Sequence, residues 1–167
     1  MIDIHSHVLF GLDDGARDLD ESAAMLKIAA ASGTTAVVAT PHASPRFVYR
    51  EDLAVSRVDQ LNALEILPVY RGCDFHLTLE NVEDAIAFPT RYTINGAGYL
   101  LVELPDSAIP PQMTGIIRSL QDAGIQPVIT HPERHRLLRQ NWALLEQWVK
   151  QGARVQITAQ SLLGHFG

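Results

Sequence analysis

His5 and His7 stand two residues apart near the start of the chain, in Met1-Ile-Asp-Ile-His-Ser-His-Val-Leu-Phe-Gly-Leu-Asp-Asp-Gly15. Side chains alternate along a strand, so Asp3, His5 and His7 share one face while Ile2, Ile4 and Val8 form an apolar one. Two neutral imidazoles side by side make a bidentate clamp for a divalent metal. A glycine-punctuated loop carrying Asp13 and Asp14 follows at once. Further on, His42, Asp74, Glu103 and His131 each come just after a short apolar run. Mixed imidazole and carboxylate donors suit zinc, manganese or iron(II) better than magnesium or calcium, and so many donors imply more than one ion. Two close divalent ions turn water into a nucleophile and clamp the oxygens of a transferring phosphoryl group.

The elements that must position these residues alternate between strand and helix. After the opening strand, Asp18 with Glu21 has the form of an N-cap with a carboxylate three residues on, helix formers follow, and Gly33 is a natural stop. Strands are expected over 35–40, 66–72, 97–102, 126–130 and 154–158, and helices over 51–64, 79–88, 111–123 and 142–151. In that scheme Pro111 sits in a first helical turn, and 89–96 is irregular. Strand-helix alternation predicts a parallel α/β sheet, and polar residues at strand C-termini are the habit of barrel enzymes, whose mouth they line. About six strands can be counted, fewer than a closed barrel of this kind needs.

At 167 residues and 47% hydrophobic content the chain is expected to form one domain, residues 1–167. A net charge of -6 with no basic run gives no footprint for nucleic acid or a membrane surface. No apolar stretch reads as a signal peptide or span, so the expectation is a cytoplasmic protein that is not membrane-inserted. The single cysteine, Cys73, excludes an intramolecular disulfide. No arginine or glycine loop follows it, so a cysteine-nucleophile phosphatase loop is absent, as is a nucleotide-binding P-loop.

The motifs Ile2-Asp-Ile-His-Ser-His7 with Gly11-Leu-Asp-Asp-Gly15, Thr40-Pro-His42, Gly72-Cys-Asp74, Leu101-Val-Glu103 and Thr130-His-Pro-Glu-Arg134 resemble, in order, those of the polymerase-and-histidinol-phosphatase (PHP) superfamily. More narrowly, they resemble the bacterial manganese-dependent protein-tyrosine phosphatases of capsular and exopolysaccharide biosynthesis. The resemblance implies a distorted TIM-like (β/α)7 PHP barrel holding up to three divalent ions at the strand C-termini, Mn2+ foremost, with Zn2+ or Fe2+ as alternatives. It implies that His5 and His7 hold the first ion with Asp74, that Asp74 bridges to a second held by Glu103 and His131, and that Asp14 and His42 hold the third. Arg134 would grip the substrate phosphate through its forked guanidinium. The implied reaction is hydrolysis of phosphotyrosine by a metal-activated hydroxide, the partner a phosphotyrosine-bearing protein such as a bacterial autokinase tail. Asp3, Asp13 and His76 are candidates for supporting the ligands from behind.

Two features depart from the family pattern. Asp74 stands where a longer glutamate is usual, and the late Asp-x-His motif has no counterpart before Gly167. The expectation is therefore a C-terminally truncated barrel lacking its last strand or strands, with exposed edges that favour a homo-oligomer. Asp14 is open to a second reading as a turn residue before Gly15, and Arg134 to a surface ion pair with Glu133. Other PHP-type phosphoesterases, such as a histidinol-phosphate phosphatase, remain alternatives, as does a non-catalytic metal- or phosphotyrosine-binding module. An amidohydrolase-like metal hydrolase would carry a mid-barrel lysine, and the only lysines, Lys27 and Lys150, fall on predicted helices.

Overall fold

The computed structural model describes residues 1–166. Strands β1 (Ile2–Ser6), β2 (Ala36–Ala39), β3 (His42–Ala43), β4 (Val69–Arg71), β5 (Asp74–His76), β6 (Tyr99–Glu103), β7 (Gln126–Thr130) and β8 (Arg154–Gln156) pair in parallel throughout. The helices between them are α1 (Leu19–Ala31), α2 (Glu51–Asn62), α3 (Leu79–Ala87), α4 (Pro89–Tyr92), α5 (Met113–Asp122), α6 (Arg136–Arg139) and α7 (Trp142–Lys150), and α8 (Ala159–Leu162) follows β8. Parallel pairing demands a crossover between neighbours, which these helices supply.

Two sheets result, ordered β1-β2-β4 and β3-β5-β6-β7-β8. They share one register. Val37 faces Val69, and beyond the breaks at Pro41 and Gly72-Cys73 His42 faces Asp74 at the same sequence offset. Gly72 N–H donates to Ala39 O (2.8 Å) and Asp74 N–H to Pro41 O (3.0 Å), carrying the ladder across the break. Each of these two expected strands is thus bent into a pair, because Pro41 has no N–H to give the ladder. A Cβ on Gly72 would lie 2.8 Å from Val38 Cγ1, so only glycine lets the strands approach there. The bend carries His42, Asp74 and His76 into short strands of their own, just beyond the strand ends where the sequence puts them.

Leu100, Leu101, Val102, Phe75 and Ile129 are fully buried, and Leu26, Leu61, Ile117, Leu120 and Trp148 cover the sheet from the helices. Among the described residues β8 and β1 share no ladder and form the two edges. Ile2 and Ile4 are 59% and 37% exposed, whereas Val8, beyond the strand, is buried. The apolar face expected of β1 is therefore not a packed one. Smaller differences have local causes. Gly98 at φ +84° delays β6 to Tyr99, and Pro111 lies in a turn ahead of α5. The short helices α4, α6 and α8 occupy stretches where no helix is expected from sequence.

Candidate metal centre

The parallel strands deliver their C-terminal residues to one mouth, where a cavity of about 930 Å³ is lined by His5, His7, Asp14, His42, Asp74, Glu103, His131 and Arg134. Asp74 is the hub. Its Oδ2 lies 3.4 Å from His5 Nε2, 3.2 Å from His42 Nδ1 and 4.0 Å from His7 Nε2. Glu103 stands next to it, with Oε1 3.6 Å from His131 Nε2 and Oε2 3.5 Å from both His42 Nδ1 and His76 Nδ1. Asp14 Oδ1 is 3.5 Å from His42 Nε2. Donors that share an ion at roughly 2.1 Å sit about 3–4 Å from one another, the spacing seen here.

Three groups of donors, each within 4.8 Å of one another, emerge: His5, Asp74 and His131; His42, Asp74 and Glu103; and His7, Asp13, Asp14 and His42. This grouping pairs His131 with His5 and draws His7 toward Asp14, a different partition from the one the motifs imply. A neutral imidazole has one lone pair, so His42 can serve only one of its two groups and donates to the other.

The donor set fits a divalent cation on the evidence of its buried oxygens. Asp74 is fully buried, yet among the described residues neither carboxylate oxygen has an aligned hydrogen-bond donor, and His42 Nδ1 likewise has no aligned partner. A buried carboxylate left so is costly unless a cation completes it. The electrostatics point the same way. Burial opposes ionisation of Asp74, but the imidazoles of His42 and His5 override it and hold the carboxyl below its ordinary range. Burial also opposes the charge on His42, yet Asp74, then Glu103 and Asp13, lift it to about 9. His5 is raised against its own burial by Asp74 and Gln156, whereas burial lowers His131.

The loop after β1 is fixed by Asp13. His7 Nδ1–H donates to Asp13 Oδ2 at 2.7 Å, the backbone N–H of His42 donates to the same oxygen at 2.9 Å, and Gly15 N–H donates to Oδ1 at 3.0 Å. That leaves His7 Nε2 toward Asp74, the arrangement by which a carboxylate orients a ligating histidine. Gly15 permits it, because a Cβ there would fall 2.1 Å from His7 O. Asp3 instead accepts from the backbone N–H of His5 (3.1 Å) and touches no ligand ring.

Arg134 is exposed on the rim, lines the cavity beside His131 and Glu103, and has no ion pair among the described residues. Its neighbour Glu133 faces away, accepting at Oε1 from Thr158 and Ser161. His135 caps α6 and is 2.9 Å from Pro105 O, a structural role. Two residues of the site carry no motif. Phe47 stacks on His42 at 5.8 Å with an interplanar angle of 10°, and Gln156 at the end of β8 touches His5. For Gln156 the signal was present in kind, a polar residue closing a strand, as with His131.

A family model described as capsular polysaccharide synthesis, CpsB/CapC, matches residues 1–167. The chain is 39% identical over 174 residues to the tyrosine-protein phosphatase YwqE of Bacillus subtilis (strain 168), covering 100% of this chain and 68% of that one. It is 37% identical over 175 residues to the CapC protein of Staphylococcus aureus, again covering 100% and 68%. Among solved structures it matches one from a study of YwqE from Bacillus subtilis and CpsB from Streptococcus pneumoniae, described as unique metal-dependent tyrosine phosphatases. The TM-score there is 0.90 at 38% identity, over 100% of this chain and 70% of the other.

Proposed function

The chain belongs to the CpsB/CapC family of capsular polysaccharide synthesis, and from that premise we propose that it is a metal-dependent protein-tyrosine phosphatase. The observation that carries the reading is the meeting of His5, His7 and His42 on one buried oxygen of Asp74, with no aligned hydrogen-bond donor to it among the described residues. His5, His7, Asp14, His42, Asp74, Glu103 and His131 would hold the divalent ions, a donor set open to Mn2+, Zn2+ or Fe2+, with Mn2+ proposed first on the family resemblance. Such ions, when bound, supply a nucleophile from water at neutral pH and neutralise charge on phosphoryl oxygens.

The chain's own residues bind and orient. Arg134, on the rim and without an ion pair among the described residues, would present two parallel N–H groups to the phosphate, a geometry that lysine lacks. Asp13 fixes the His7 ring from behind, so the ligand face does not rotate as substrate enters. The leaving phenolate has a pKa of about 10, so departure of tyrosine needs less acid assistance than departure of serine. The substrate would be a phosphotyrosine-bearing protein, a bacterial autokinase tail in the first instance, met in the cytoplasm. No helix among the described residues is long and apolar enough to cross a membrane.

The test is hydrolysis of matched phosphotyrosyl and phosphoseryl peptides, with Mn2+ supplied or chelated. Turnover of the phosphotyrosyl peptide alone, abolished by chelation and restored by Mn2+, is the expected result. Equal turnover of both peptides would favour a broader phosphoesterase, and metal binding without turnover a non-catalytic module.

A further inference from the structure

Gln156 closes β8 with its amide aimed into the metal centre. Its Nε2 donates to Ile157 O at 2.8 Å, and its Oε1 accepts from the backbone N–H of His131 at 3.3 Å. A backbone carbonyl can only accept and a backbone N–H only donate, so these two partners fix which end of the amide is oxygen. That oxygen also lies 3.1 Å from His5 Nδ1. Having no hydrogen to give, it holds the proton of neutral His5 on Nδ1 and leaves the Nε2 lone pair facing Asp74.

The contact bridges what the sheet does not. Among the described residues β1 and β8 share no ladder, yet one side chain of β8 reaches a ring on β1 and the backbone at the end of β7. His131 needs such support, because its φ of +28° is in the left-handed region, unfavourable for any residue with a Cβ. The two histidines of the clamp are also held differently. His7 Nδ1 rests on the Asp13 carboxylate and His5 Nδ1 on a neutral amide. A carboxylate partner raises ligand basicity more than an amide does.

We propose that Gln156 is a positioning residue of the metal centre, fixing the tautomer and ring of His5 and the strained backbone of His131 through one amide oxygen. The inference rests on the metal-centre reading above. Its test compares wild type with Gln156→Leu and Gln156→Glu in the full chain by two readouts. The first is Mn2+ titration followed by the electron paramagnetic resonance of free aqueous Mn2+. The second is nitrogen NMR of the histidines in the metal-free chain, at a pH where His5 is neutral.

Gln156→Leu is expected to weaken Mn2+ binding about 10–100-fold and to release His5 from its single tautomer. Gln156→Glu gives up the donor to Ile157 O but keeps the acceptor, so binding closer to wild type than to Gln156→Leu and an unchanged tautomer are expected. Binding within twofold in Gln156→Leu, with the tautomer kept, would overturn the proposal. So would equal losses in the two variants, which would mark packing rather than the acceptor. If wild type itself took up no Mn2+, the metal reading would fail, and the tautomer in metal-free protein would still decide the role of Gln156.

Discussion

Gly15→Ala places a methyl group where the chain has no room. Its Cβ would lie 2.1 Å from His7 O and 2.6 Å from His7 Cβ, against an ordinary carbon–oxygen contact of about 3.4 Å. The loop would have to retreat by more than about 1 Å, and the tie from Ala16 N–H to His7 O at 3.1 Å opposes that. Overpacking of this kind costs about 1–3 kcal/mol, and each hydrogen bond given up adds about 1 kcal/mol. A loss of about 2–4 kcal/mol follows, or a fall in Tm of roughly 5–15 °C for a chain of this length. Because Asp13 moves with the loop, the His7 ring loses its partner, and Mn2+ affinity should drop about 10–100-fold. Urea unfolding of the metal-free chain measures the first quantity and Mn2+ titration the second. A variant within about 0.5 kcal/mol of wild type that bound Mn2+ normally would refute the reasoning about this loop.

Asp74→Asn keeps the shape of the hub but removes its charge, and Mn2+ binding and phosphotyrosine turnover should both fall by at least about 100-fold; a variant that kept either would show Asp74 to be peripheral. Arg134→Ala should reduce kcat/KM for a phosphotyrosyl peptide by about 10²–10³, with Arg134→Lys recovering only part of the loss because the fork is gone. Lysine equal to wild type would indicate a mere point charge. The metal-free chain should have a distinctive pH profile. His42 is raised from 6.5 to about 9, so its pairing with Asp74 stabilises fully below 6.5 and is lost as pH rises through 9. Asp74 is lowered from 3.8, so its contribution is present above that value and lost on acidification through its folded pKa. Metal-free stability should therefore peak between these limits, while stabilisation by Mn2+, which needs neutral imidazole, should grow from pH 6.5 toward 9. Urea titrations with and without Mn2+ at the two ends of that window test the opposite slopes, and parallel slopes would refute them.

What could be read from sequence was what depends on neighbours along the chain. His5 and His7 declare a shared strand face by spacing alone, Asp18 caps α1 by accepting from Glu21 N–H, and Gly33, Gly124 and Gly152, all at positive φ, end their helices. What could not be read depends on partners far away. Gln156 and His5 are 151 residues apart, and only the sheet order brings them together. Ile2 and Ile4 are exposed although they alternate with polar residues, and alternation within a strand does not reveal whether anything packs on its apolar face. Helix α6 is capped by the imidazole of His135, outside the usual capping types, and so left no ordinary start signal. The partition of the ligands into groups was also hidden, since three imidazoles converge on one oxygen of Asp74 and motif order carries no distances.

The all-parallel sheet has a consequence for the order of events in folding. No ligand pair from different strands can form by a local hairpin, because each neighbour is reached only after a crossover has closed, and such topologies fold slowly. The donors run from His5 to His131, so the centre comes together only when β7 has docked against β6. Metal capture is then a late step, following the rate-limiting barrier rather than seeding it. Interactions absent from the transition state act on the reverse rate. Loading with metal should leave the refolding rate nearly unchanged and prolong the lifetime of the native state, so that resistance to proteolysis on long exposure reports the ions more faithfully than the speed of folding does.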